Sequence, residues 1–275
     1  MGMLVKQPKG WIMLNQITKI SFAAFAVSMA LCSAPASAAI NYSFSGYGQD
    51  VSGDTFSTTG GPDVTVTGWA NTTSAGGPTT SDDTLAESTV RMWSGLGVVN
   101  SNEDGSSPQH SIDNQNNNDM VLFSFAQEIG LTGLSIGWPP DSSSYDTDMT
   151  VLAYTGNSTP TLSGKTYGAL TSTDDWSVVS HLSNVSVASG ASFNLGGTIS
   201  SMYWLIGAYN PLVGNSQGWT TGNDYVKISG LAGYLPKKPP PGVPEPATLA
   251  LFMLGLFGIN YMRRRQQNSE YQLDC

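Results

Sequence analysis

The chain has 275 residues, a formal net charge of −9 and a pI near 4.4, with only 11% charged residues. Between residues 39 and 242, five basic residues face seventeen acidic ones, a balance of −12, so phosphate backbones are repelled and nucleic acid is excluded as a partner. The wealth of Ser, Thr, Asn and Gly fits a secreted β protein better than a helical cytosolic enzyme.

Residues 1–38 read as a signal peptide. Lys6, Lys9 and Lys19 precede an apolar run from Ile20 to Leu31, and Ala36-Ser37-Ala38 supplies small residues for cleavage before Ala39. The apolar run is too short for a comfortable membrane span. Cys32 follows the bulky Leu31, which argues against lipidation, and the second cysteine is the last residue, Cys275. The body must therefore fold without disulfides.

From residue 39 to 235, short apolar or alternating runs are broken by Gly, Ser, Asn, Asp and Pro. This patterning predicts strands over Asn41–Tyr47, Asp63–Trp69, Ser88–Trp93, Met120–Phe125, Leu131–Trp138, Met149–Tyr154, Trp176–Leu182, Val185–Val187, Ser201–Tyr209 and Tyr225–Leu235. No stretch shows sustained helical periodicity with caps. The expected fold is all-β, a single jelly-roll-like β-sandwich of about 200 residues.

Oxygen-rich loops are the strongest candidate chemistry. Glu103, Asp104, Asp113, Asn114 and Asp119 fall in one long loop, and Asp141, Asp146 and Asp148 in another. Calcium takes six to eight oxygens from such loops, which makes Asp113, Asn114, Asp119, Asp146 and Asp148 candidate ligands. Their spacing is not that of an EF-hand, and Asp and Asn also populate ordinary solvated turns, the competing reading.

Gly133-Leu134-Ser135-Ile136-Gly137 matches a nucleophile elbow formally. Its alternation reads instead as a strand, and Pro139-Pro140 follows where a helix is required. His110 and His181 are the only histidines, too few for a zinc site. The acid pairs Asp82-Asp83 and Asp174-Asp175 could serve glycoside hydrolysis, or simply be loop charge. Among the tryptophans of the body, Trp219 in its Gly/Asn-rich loop is the candidate for stacking on a sugar ring; sandwich core is the alternative use of such residues.

Residues 236–246 hold six prolines in eleven positions, an extended solvated spacer. Ala247 to Met262 carries no charge and precedes Arg263, Arg264 and Arg265. As a helix it would span about 24 Å, short of a hydrocarbon core near 30 Å, a gap that snorkelling arginines can cover. The expectation is a transmembrane helix within 247–265 and a cytoplasmic tail at 266–275. Both apolar segments carry positive charge on their outer flanks, which places the residues between them outside the cell.

Val243-Pro244-Glu245-Pro246, the apolar segment and the arginine cluster together resemble the PEP-CTERM sorting signal. That resemblance implies processing by an exosortase, with Pro244-Glu245-Pro246 as the recognition motif and the apolar segment as an anchor lost on processing. Residues 266–275 extend beyond the family's usual end. Within the body, Gly95-Leu96-Gly97-Val98, Pro108-Gln109-His110-Ser111-Ile112-Asp113-Asn114 and Gly137-Trp138 resemble segments of exosortase-dependent surface proteins. That likeness spans roughly residues 90 to 160 and carries no activity with it.

The sequence thus points to an exported surface protein. The secretory translocon, signal peptidase, membrane and exosortase are its partners, and a structural or adhesive place in exopolysaccharide or biofilm its destination. A carbohydrate-binding module, with calcium as its candidate cofactor, is the alternative; a polysaccharide hydrolase is a third reading, set below a body that is no enzyme.

Overall fold

The computed structural model describes residues 39–72, 80–138, 145–185, 192–196, 199–236 and 247–270. Ala36 and Ala38, and Val243 to Pro246, lie outside the described residues, whereas Ala39 is exposed immediately before the first strand. The chain divides into two compact units, residues 1–236 and 237–275.

Among the described residues, the body is β apart from one short helix. Its strands are β1 (Ile40–Ser43), β2 (Tyr47–Asp50), β3 (Thr55–Phe56), β4 (Val64–Asn71), β5 (Leu85–Trp93), β6 (Leu96–Val99) and β7 (Ile112–Asp113). They continue with β8 (Asp119–Trp138), β9 (Met149–Tyr154), β10 (Trp176–Leu182), β11 (Ser192–Asn194), β12 (Ser201–Ala208) and β13 (Tyr225–Tyr234). The helix α1 (Tyr167–Ser172) lies between β9 and β10, its first turn capped by the Thr166 hydroxyl accepting from the Ala169 amide. Six residues are too few for amphipathic periodicity to show in the sequence.

The predicted ten-strand sandwich becomes, among the described residues, one continuous thirteen-stranded sheet. Its main path runs β1-β13-β6-β5-β4-β8-β12-β9-β10, and β13 also pairs with β8, so five strands close a circuit. The cause is β8. The sequence suggests two strands there, Met120–Phe125 and Leu131–Trp138, but one twenty-residue strand runs through both. Its first half pairs with β4 and β12, and its second half with β13 and β11. The exposed stretch Ala126–Glu128 marks the passage from one set of partners to the other. Val185 is buried but lies outside any strand, so the expected Val185–Val187 strand is not formed at its first residue.

Strand alternation sorts the side chains into two cores. Val121, Phe123 and Phe125 of β8, Met149, Val151 and Ala153 of β9, and Trp204, Ile206 and Ala208 of β12 enter the main core. The intervening Met120, Leu122, Leu152, Tyr154 and Leu205 face the other way, where Tyr167 and Leu170 of α1 cover them. This explains why all six residues of β9 are buried: both of its faces are packed.

In the second unit, α2 (Ala247–Glu270) is twenty-four residues long. It begins where the apolar segment begins but continues through Arg263–Arg265 instead of ending at them. Among the described residues, no helix is long and apolar enough to cross a membrane. This corrects the expected transmembrane helix. The uncharged run stops at Met262, and three guanidinium groups follow within the same helix.

Candidate functional site

The five oxygen donors singled out in the sequence separate into two neighbouring groups. Asp113 and Asp119 join Glu103, and Asp146 and Asp148 join Asp224; within each trio the potential ligand oxygens lie within 4.8 Å of one another. Asp141 lies outside the described residues. Either trio offers the hard, all-oxygen donor set that suits a divalent cation.

The first trio is built on the segment joining β6 to β8. Asn100 holds it together, donating its amide N–H to Glu103 Oε2 at 3.1 Å and its side-chain Nδ2 to Asp119 Oδ1 at 3.0 Å. Asp113 sits on β7, against β13, and its Oδ1 accepts from the Gln115 amide at 2.9 Å. Asp113 and Asp119 are wholly buried. Burial pushes the Glu103 carboxyl up to about 7 against the hydrogen bonds from Asn100. Burial, then the charge of Glu103, pushes Asp113 up to about 8, and the same two causes raise Asp119 well above the usual carboxylate range.

The second trio is more fully hydrogen-bonded. Asp224 Oδ1 accepts from the Asp148 amide at 2.9 Å, and its Oδ2 accepts from Asn114 Nδ2. Asp148 Oδ1 accepts from the Asn184 amide at 2.6 Å, and Asp146 Oδ1 from the Thr147 amide at 2.8 Å. Burial pushes Asp224 up to about 7. Asn114, expected as a calcium ligand, is instead a clamp. Its Oδ1 accepts from the Gly222 and Asp224 amides at 2.9 and 3.1 Å, while Nδ2 also donates to the Tyr209 carbonyl at 2.9 Å.

Beside these trios lies an aromatic cluster. Lys227 on β13 is 2% exposed, with its Nζ 5.1 Å from the Trp138 ring centre and 6.0 Å from that of Trp93. Trp93 also packs at a tilt against Tyr47, with ring centres 4.4 Å apart, and against His110 at 5.0 Å, and Trp138 packs against Tyr145 at 5.2 Å. Burial lowers Lys227 to about 8. Among the described residues the ion pair is Lys165–Asp174, so this buried ammonium rests on aromatic faces instead. The segments resembling surface proteins meet here. A Cβ on Gly97 would fall on the His110 carbonyl oxygen, and one on Gly137 on the Ser94 carbonyl oxygen. Only glycine permits those two close approaches.

Trp219, the expected sugar platform, packs on Tyr209 at 5.0 Å and faces His181 at 6.4 Å. Gly133 to Gly137 lie within β8, so the turn of a nucleophile elbow does not form. Asp224 escaped the sequence reading. The signal for it was the Gly222-Asn223-Asp224 turn before an apolar strand.

Residues 242–266 match the family model of the PEP-CTERM protein-sorting motif. The chain therefore carries that motif at its C-terminal end. No curated protein matches the chain. Among solved structures, the X-ray structure of GH31 CBM32-2 bound to GalNAc is similar at 12% identity, over 63% of this chain and 97% of that one. Its TM-score is 0.27.

Proposed function

We propose that this is an exported, non-catalytic surface or matrix protein whose C-terminal segment is recognised and processed by an exosortase. The single observation that carries the reading is the PEP-CTERM motif at residues 242–266. A cleavable leader at residues 1–38, read by the translocon and signal peptidase, is the matching requirement at the other end. Leu251, Phe252, Leu254 and Phe257 of α2, each 64–67% exposed, offer the apolar surface such a segment presents to a membrane-embedded enzyme. The β-body then serves structurally or adhesively in the exopolysaccharide or biofilm matrix.

Intact mass of the protein recovered from the cell surface tests this. The expected mature chain starts at Ala39 and has lost everything beyond about Pro246. Replacing Pro244, Glu245 and Pro246 together by Ala should leave the C-terminal segment attached. A wild-type surface protein that retains Cys275 would remove the proposal.

The aromatic cluster favours a second reading, contact with a matrix glycan. Tyr47 is 71% exposed and lies against Trp93, an aromatic pair open to a sugar ring. Losing one stacking face, about 1.4 kcal/mol, weakens binding about tenfold. Calorimetry against the native exopolysaccharide should therefore show Tyr47→Ala binding about tenfold more weakly. Flat heats for the unaltered protein would dismiss this reading and leave the sorting proposal untouched.

A further inference from the structure

We propose that Glu103, Asp113 and Asp119 form a calcium site that fastens the segment between β6 and β8 onto the sheet. The geometry is that of three ligands around one ion. Their oxygens lie within 4.8 Å of one another, and ligands about 2.4 Å from a shared calcium are at most about 4.8 Å apart.

A second observation shows that the trio is built to receive something. Glu103 Oε1, Asp113 Oδ2 and Asp119 Oδ2 are all buried and have no hydrogen-bond partner. The other oxygen of each carboxylate is held, by Asn100 for Glu103 and Asp119, and by the Gln115 amide for Asp113. Each carboxylate is thus fixed in place with one acceptor left over. An unsatisfied buried acceptor is destabilising and a charged one more so, so three together are a standing penalty that a cation removes. Among the described residues none of the three is ion-paired with lysine or arginine. The second trio differs in this respect, since backbone amides and Asn114 already occupy oxygens of Asp146, Asp148 and Asp224.

The donors also select the ion. Three carboxylates with no imidazole or thiolate in the trio suit calcium rather than zinc. Waters or nearby carbonyls complete the six to eight oxygens that calcium takes, whereas magnesium demands a stricter octahedron. Asn100 is a positioning residue, bonded to two of the three carboxylates.

The purified full chain, stripped with EDTA and dialysed, is titrated with calcium chloride by calorimetry and by thermal melting. Calcium at about a hundred times its dissociation constant should raise Tm by roughly 5–10 °C for a domain of this size. Magnesium should do less. Asp119→Asn and Glu103→Gln should each abolish this shift, while Asp148→Asn at the second trio keeps it. In EDTA, the two variants should melt no lower than the stripped wild type, because each removes one repelling charge. If Asp119→Asn fails to fold, Glu103→Gln at the less buried edge decides the matter. The proposal is overturned if about 10 mM calcium, far above the affinity of extracellular sites, gives the wild type neither heat nor a Tm shift. It is also overturned if a folded Glu103→Gln keeps the full shift.

Discussion

Held in EDTA, the protein should be most stable in mild acid and lose stability steadily as the pH rises from about 4 to about 8. The groups responsible are buried carboxyls. Glu103 is pushed from 4.5 up to about 7, Asp113 from 3.8 up to about 8 and Asp224 from 3.8 up to about 7, in each case chiefly by burial. Asp119 and Asp148 shift in the same direction. A carboxyl whose folded pKa exceeds its unfolded value binds more protons in the folded state across that interval. Its stabilising contribution is whole below the unfolded pKa and is lost as the pH passes the folded one. The window is therefore about 4 to 8, the reverse of a protein held by salt-bridged carboxylates.

Three other groups bear on the profile without reversing it. Burial lowers His110 and His181, which works against stability below about 6.5 and trims the acid side. Lys227, lowered from 10.5 to about 8, acts only above that window, where rising pH relieves the cost of its buried charge. A few kcal/mol should separate pH 5 from pH 8, or roughly 10 °C in Tm for a domain of this size. Urea denaturation in EDTA at the two pH values measures it, and Asp119→Asn should show a shallower decline. A flat profile would mean that these carboxyls do not share a dry environment.

The sequence carried the local features well and the long-range ones poorly, for a physical reason. Alternation in Val64, Val66 and Ala70 of β4 marks a half-buried strand without any knowledge of its neighbours. The unity of β8 was hidden because Ala126–Glu128, exposed at the passage between two sets of partners, reads locally as a break. Asp113 and Asn114 looked like two ligands of one site. Successive residues of an extended segment point to opposite sides, so Asp113 meets Glu103 and Asp119 while Asn114 bonds to Asp224. Asp224 could not be joined to Asp146 and Asp148 from spacing alone, since the pairing of the 146 and 224 segments brings them together. The glycines of the Gly-Leu-Gly-Val and Gly-Trp stretches were visible, but their cause was not: Gly97 and Gly137 each admit a carbonyl oxygen from another segment.

Tryptophan shows the same limit, and it sets the largest single-residue effect expected here. Trp204 on β12 is 1% exposed, the bulkiest of the wholly buried side chains, and donates its Nε1–H to the Ser201 carbonyl at 3.1 Å. It lies opposite Phe123 of β8 and Ala153 of β9, on a strand paired along both edges. Trp204→Ala removes the indole from the main core and leaves a cavity that β-strands paired on both sides cannot collapse to fill. The expected loss is about 3–5 kcal/mol, enough to unfold a marginal domain. Trp204→Phe keeps much of the ring volume and should cost less, the remainder reflecting lost volume and the Ser201 hydrogen bond. Trp219→Ala, by contrast, strips one half-exposed ring from Tyr209 and should cost about 1 kcal/mol, within the range of an aromatic pair. Chemical denaturation of the three variants ranks them directly. Equal losses for Trp204→Ala and Trp219→Ala would contradict the position of Trp204 between β8 and β9.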